Sequence, residues 1–133
     1  MAAAAMTAPD EVVRELFRAL DALDVDRIEA LFTDDIQGVD ELSGGWRRGR
    51  DAVHEYLESV VEAGLANLHS ELSDVSTSEW DDTGVVTLVL DQTYAIGGED
   101  QRVHAPTSVV LRRIEGEWRC ALLHSVPVAE PVE

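Results

Sequence analysis

Lysine is missing from this chain: all ten of its basic residues are arginine. That excludes Schiff-base and pyridoxal-phosphate chemistry on a lysine, and a phosphate-binding loop that needs one. Positive charge is scarce altogether. Ten Arg face 27 Asp and Glu, a net charge of −17, and such a surface repels phosphate backbones and anionic lipid. Nucleic-acid and membrane partners are therefore not expected. Cysteine occurs once, as Cys120, so no intrachain disulfide can form. Cys120 stands in an apolar strand and lacks an obvious His or Asp partner, which reads as a buried inert thiol rather than a nucleophile. No apolar run is long enough for a membrane span, and the Ala-rich start lacks the basic segment of a signal peptide. A cytoplasmic protein is expected. No Gly-x-Gly-x-x-Gly or Gly-x-Ser-x-Gly occurs, and no His, Cys, Asp and Glu set has metal-ligand spacing. The expectation is no metal and no redox cofactor.

What is present fits one domain. The length of 133 residues suffices for a single core with a cavity. Residues 1–8 are expected to be a flexible N-terminus, 9–128 the domain and 129–133 a flexible tail. Thr7 is the expected cap of a first helix over about 8–23, with Pro9 in its first turn and Asp10 and Glu11 suited to the helix dipole. Val12, Val13, Leu16, Phe17, Leu20 and Leu23 share its apolar face. Asp24 caps a second helix over about 25–32, ended by Asp34 and Asp35. Ile36 to Asp40 fits a short strand. Val53, Tyr56, Leu57, Val60 and Val61 define a third helix over about 50–63, closed by Gly64.

Beyond it the pattern becomes β. Residues 85–96, 102–114 and 118–128 form strands around turns at Gly97-Gly98 and Glu115-Gly116-Glu117, and residues 68–80 alternate weakly. Helices followed by hairpins make an α+β fold. Three N-terminal helices packed in a strongly curved antiparallel sheet would form a cone with one internal pocket.

The succession of a helix, DVDRIEALFTDD, a short strand, GWRRGRDAVHEYL and a sheet ending IEGEWRCALLHSVPV resembles the nuclear-transport-factor-2-like superfamily. Its SnoaL-like and ketosteroid-isomerase-like branches are the most similar, over about residues 10–128. The resemblance implies a cone-shaped pocket domain. Members include isomerases, polyketide cyclases, dehydratases, epoxide hydrolases and domains that only bind or assemble, so the fold alone does not settle function. Asp34-Asp35, Asp40 and Gly49-Arg50 match the isomerase spacing without a gap, which puts Asp40 at the general-base position. The isomerase oxyanion donors, a Tyr on helix one and a protonated Asp on a sheet strand, are not matched. Leu16 and Phe17 stand in the first region, and Ser108 or Val109 near the second. This departure argues against ketosteroid isomerase activity itself.

The candidate site residues each carry a bland alternative. An apolar pocket tunes a carboxylate for proton transfer near neutral pH, so Asp40 is an acid/base candidate, or else a strand-end carboxylate beside Glu41. His124 follows a Gly-x-Trp turn at a distance common in SnoaL-like sequences. If Trp118, Cys120 and Leu122 face inward, so does His124, as acid/base partner or as a core or interface histidine. With the hairpin centred on Gly98-Glu99, Tyr94 would oppose Val103, Gln92 would oppose Ala105 and Leu90 would oppose Thr107. Leu90, Gln92, Tyr94, Thr107 and Val109 would then line the pocket with Phe17 and Tyr56, while Asp91, Thr93 and His104 point outward. Trp46 could roof the pocket or staple its loop. Arg47, Arg48 and Arg50 could attract a carboxylate ligand or pair with the acidic surface. His54 and His69 read as solvated.

These readings favour a pocket for a hydrophobic small molecule. The expected enzyme is an isomerase, cyclase, dehydratase or epoxide hydrolase using Asp40. The alternative is a non-catalytic ligand-binding or accessory domain. The outer sheet positions Val85, Thr87, Val89, Pro106 and Val110 form an apolar patch, from which a homodimer through the sheet is expected.

Overall fold

A computed structural model describes residues 8–128 of the chain. The flexible ends expected at 1–8 and 129–133 lie outside those residues, except for Ala8. Three helices, α1 (Pro9–Asp21), α2 (Val25–Glu29) and α3 (Arg50–Glu62), accompany six strands. The strands are β1 (Phe32–Asp40), β2 (Arg47–Arg48), β3 (Ala66–Trp80), β4 (Thr83–Ile96), β5 (Glu99–Ile114) and β6 (Glu117–Ser125). They form one sheet in the order β2-β1-β6-β5-β4-β3. The α+β cone expected from the sequence is present, with one refinement. The sheet is mixed, because β1 runs parallel to β6 while every other pair is antiparallel.

Helix α1 begins at Pro9, whose missing N–H costs nothing in a first turn, and Asp10 and Glu11 follow. Its N-cap is Ala8, with no side-chain bond there; Thr7, the expected cap, lies outside the described residues. Val12, Val13, Leu16, Phe17 and Ala19 are all buried on one face. They pack on the concave side of the sheet against Val86, Leu88, Val109, Leu111, Trp118 and Cys120. Burying a side chain of this size stabilises the fold by roughly 1.5–3 kcal/mol, so this layer fixes how α1 lies across the sheet.

Helix α2 stops at Glu29, shorter than the expected 25–32. Asp24 caps it as expected, accepting from the Arg27 N–H at 3.2 Å. Phe32 lies four residues beyond the apolar helix position Ile28, yet it starts β1 and pairs with Cys120. Asp34 and Asp35 therefore do not end a helix. They sit on the exposed side of an irregularity in β1, between Phe32 and Gln37. Arg50 closes this corner. Its guanidinium donates to the Glu29 carbonyl at 2.9 Å and the Phe32 carbonyl at 2.7 Å.

Strands β3, β4 and β5 run 15, 14 and 16 residues, long enough to need bending. Pairing shifts interrupt β3 beside Asn67 and Asp74, which both adopt positive φ. Bulges of this kind increase local twist and let a sheet wrap around helices. The β4–β5 turn consists of Gly97 and Gly98, both at positive φ, the conformation of a two-residue hairpin. Tyr94 therefore opposes Gln101, Gln92 opposes Val103, Leu90 opposes Ala105 and Leu88 opposes Thr107. The register is two residues from the expected one. An even shift preserves side-chain parity, so Leu90, Gln92, Tyr94, Thr107 and Val109 still share the concave face. Among the described residues no helix is long and apolar enough to cross a membrane.

Candidate functional site

Asp40 is the last residue of β1 and lies beside Ser125 of β6. The chain then turns through a loop locked by Ser43. The Asp40 N–H donates to Ser43 Oγ at 2.9 Å, and the Ser43 N–H donates back to Asp40 Oδ1 at 2.8 Å. This aspartate-centred turn is the local reason for the carboxylate's fixed rotamer. The second anchor comes from α3, where Tyr56 donates its hydroxyl to Asp40 Oδ1 at 2.7 Å. Among the described residues, both bonds to the carboxylate side chain fall on Oδ1.

The carboxylate lies at the polar end of an apolar cavity of about 120 Å³. Phe17 and Leu20 of α1, Val53 and Leu57 of α3, and Leu90 and Leu123 of the sheet wall it. Its polar lining is small: Asp40, Glu41, Ser43, Arg47, Tyr56, Gln92, Tyr94 and Ser125. Burial, and then the neighbouring Asp40 charge, push the Tyr56 hydroxyl well above the ordinary phenol value. Burial and the Glu41 charge raise Tyr94 in the same direction. Both phenols are thus protonated donors at neutral pH, not nucleophiles. Tyr94 Oη stands 3.4 Å from Glu41 Oε2.

Of the sequence-derived candidates, the structure brings Phe17, Asp40, Tyr56, Leu90, Gln92 and Tyr94 to this cavity. Thr107 and Val109 face the same side but are buried below it. Thr107 Oγ1 lies 2.8 Å from Ser125 Oγ, and Val109 belongs to the core. His124 is a correction. Leu111 opposes Cys120 while Val110 opposes Leu122, so Ala121 is an unpaired bulge residue in β6. The bulge inverts parity beyond it. Leu123 and Ser125 turn inward, and His124 is exposed on the outer face. Trp46 is a second correction. It does not line the cavity but stacks outside, its ring 6.0 Å from that of His124.

The arginines divide. Arg47 lines the mouth, donating to the Ser43 carbonyl at 3.1 Å with its guanidinium 5.7 Å from the Tyr56 ring centroid. Arg48 packs over Trp46 and bonds Gln37, and Arg50 is the corner clamp already described. His69 is exposed, beside Glu71 on β3. The His54 side chain is 41% exposed, solvated as expected, and also bridges Glu29 and Glu58. Cys120 is fully buried, and burial pushes its thiol up to about 12. Among the described residues no group of three or more His, Cys, Asp or Glu is placed to hold a metal.

Sequence reasoning missed Ser43 and Ser125. The Asp-x-x-Ser spacing of a side-chain-locked turn could have found the first. Nothing in the sequence marks the bulge that turns Ser125 inward.

The profile of the SnoaL-like domain matches residues 10–129, and the chain belongs to that family, within the NTF2-like fold. No curated protein is significantly similar to it in sequence. Among solved structures, it is similar to a ketosteroid isomerase-like protein from Erwinia carotovora atroseptica. That match has a TM-score of 0.79 and 18% identity, over 92% of this chain and 95% of the other. A provisionally assigned dehydratase of the NTF2-like family from Streptomyces avermitilis gives 0.80 and 19%, over 91% and 94%. A provisionally assigned calcium/calmodulin-dependent protein kinase type II association domain from Thiobacillus denitrificans gives 0.75 and 21%, over 96% and 100%. At these identities the likeness is one of fold.

Proposed function

We propose that the chain is an acid/base enzyme for a hydrophobic, oxygenated small molecule, with Asp40 as the proton-transferring group. The observation that carries this reading is the Asp40 carboxylate at the end of an apolar cavity, oriented by Tyr56 at 2.7 Å and Ser43 at 2.8 Å. A carboxylate spent on an ion pair would instead meet an arginine. The cavity volume of about 120 Å³ is close to the roughly 150 Å³ that takes benzene in an engineered apolar site. A guest of single-ring size suits it.

Several reactions share the required step. In an isomerisation Asp40 takes a proton from one carbon and returns it to another. In a dehydration it takes a carbon-bound proton and delivers it to the departing hydroxyl, which leaves as water. In epoxide opening it takes a proton from the attacking water and passes it to the ring oxygen as the carbon–oxygen bond breaks. Each balances with no oxidant or reductant. The test is product formation from single-ring enones, phenols and epoxides, followed by mass spectrometry with wild type and Asp40→Asn. Loss of a positioned acid/base group should slow turnover about 100-fold or more. Full turnover by Asp40→Asn would overturn the reading.

One observation favours a second reading. Leu16, Phe17 and Val109, in the regions where the isomerases hold their oxyanion donors, are apolar and buried. A binding or assembly domain of the same fold needs no such donors. It predicts ligand binding without product, and an Asp40→Asn variant changed only in affinity.

A further inference from the structure

The hydroxyl donors of the cavity are committed with one exception. Tyr56 gives its proton to Asp40 at 2.7 Å. Ser43 Oγ lies 3.1 Å and 2.9 Å from the carbonyls of Asp40 and Gly45. Ser125 is paired with Thr107. The Gln92 amide donates to Ser70 Oγ at 3.0 Å, in a network that ties β3 to Asp21 of α1. Arg47 donates to the Ser43 carbonyl. Tyr94 differs from all of these. Its contact to Glu41 is 3.4 Å, beyond the 2.5–3.0 Å range of a good hydroxyl bond. Its acceptor is exposed, so Glu41 regains water freely when the contact breaks. The ring itself is rigidly mounted, 5% exposed and packed with Val103, Ala105 and Leu68.

We propose that the Tyr94 hydroxyl is the ligand-facing donor of this cavity, taking the carbonyl or ether oxygen of a neutral guest of single-ring size, with Glu41 as its occupant in the empty state. The inference rests on the small-molecule reading above and names the chemistry of its ligand. A guest with a buried carbonyl loses its water bonds on entry and needs a replacement donor. Among the cavity's hydroxyls Tyr94 supplies it at the smallest loss, because the bond it gives up is the longest of them. Neutrality follows from the mouth: Asp40 and Glu41 place two carboxylates there against the single cation of Arg47, so an anionic guest is disfavoured.

The test uses two probes of one shape, 4-fluoroacetophenone and 1-ethyl-4-fluorobenzene, titrated by fluorine NMR against wild type and Tyr94→Phe. The substitution removes one oxygen and keeps the ring, and the ethyl probe reports any change in the cavity itself. The ketone should bind about five-fold more weakly to Tyr94→Phe, the worth of one net hydrogen bond. The ethyl probe should stay within about two-fold. In Glu41→Ala the ketone should bind more tightly than in wild type, since its competitor is gone. Equal losses for both probes, an unchanged ketone, or no binding of either probe to wild type would each overturn the proposal. Binding is read without turnover. An Asp40→Asn variant that still makes product would remove the acid/base role and leave the Tyr94 result standing, and the converse outcome would do the reverse.

Discussion

His54 shows what one side chain does at the join of two helices. Its Nδ1 lies 2.7 Å from Glu29 at the end of α2, and its Nε2 contacts Glu58 one turn along α3. Only the imidazolium donates from both ring nitrogens. The hydrogen bond to Glu29, then the Glu29 and Glu58 charges, raise His54 above its usual 6.5. A folded-state value above the unfolded one adds stability that is complete below 6.5 and disappears as pH rises through the folded value. His54→Gln should therefore widen its stability deficit at about pH 6 relative to about pH 9. Urea midpoints of both proteins at the two pH values measure this, and an equal deficit at both would show that the charge is irrelevant. Asp40 invites the same attention to partners. Its candidacy was legible from spacing, and the Ser43 lock could have been read from the local Asp-x-x-Ser pattern, but the sequence does not mark Tyr56 as its donor. That contact joins residues on different elements, and its closeness comes from packing α3 over the mouth.

At the scale of elements, the apolar periodicity of α1 and α3 and the Gly97-Gly98 turn are readable because each is a local property. Two features were not. The β6 bulge at Ala121 inverts the inward set, and no residue type announces it, since Ala121, Leu122 and Leu123 are apolar on both sides. The end of α2 was obscured for a related reason: Leu31 and Phe32 satisfy a helical stripe and a buried strand equally well. The error at the hairpin was harmless, because two residues of slip conserve the face. The packing of α1 on the sheet gives a sharper prediction. A Cβ on Gly84 of β4 would stand 2.9 Å from Pro9 Cγ and 3.3 Å from the Trp118 ring. The proline ring cannot rotate away without moving the start of α1. Gly84→Ala should destabilise the domain by about 1–3 kcal/mol, read from its denaturation midpoint. A midpoint equal to wild type would mean that α1 shifts without cost.

For the whole molecule, the outer face of the sheet contrasts with the rest of the surface. Val85 pairs with Val110, Thr87 with Ser108 and Val89 with Pro106, and Leu122 adjoins Val110. None of these side chains is charged, on a chain carrying −17. Two copies repel one another except where uncharged surfaces meet, and a hydrophobic stripe lies there. The expected outcome is a homodimer through this face. Light scattering at micromolar concentration should give twice the chain mass, and Val110→Glu should return the monomer. A monomeric wild type would leave the stripe without this role. The parallel pairing of β1 with β6 carries a consequence in time. Asp40 is held beside Ser125, and on its other side β1 meets only the two residues of β2. During synthesis the strand bearing the carboxylate waits nearly unpaired while some eighty residues of chain follow it out of the ribosome. The part of the cavity wall that Leu123 and Ser125 supply can therefore form only once β6 has been made.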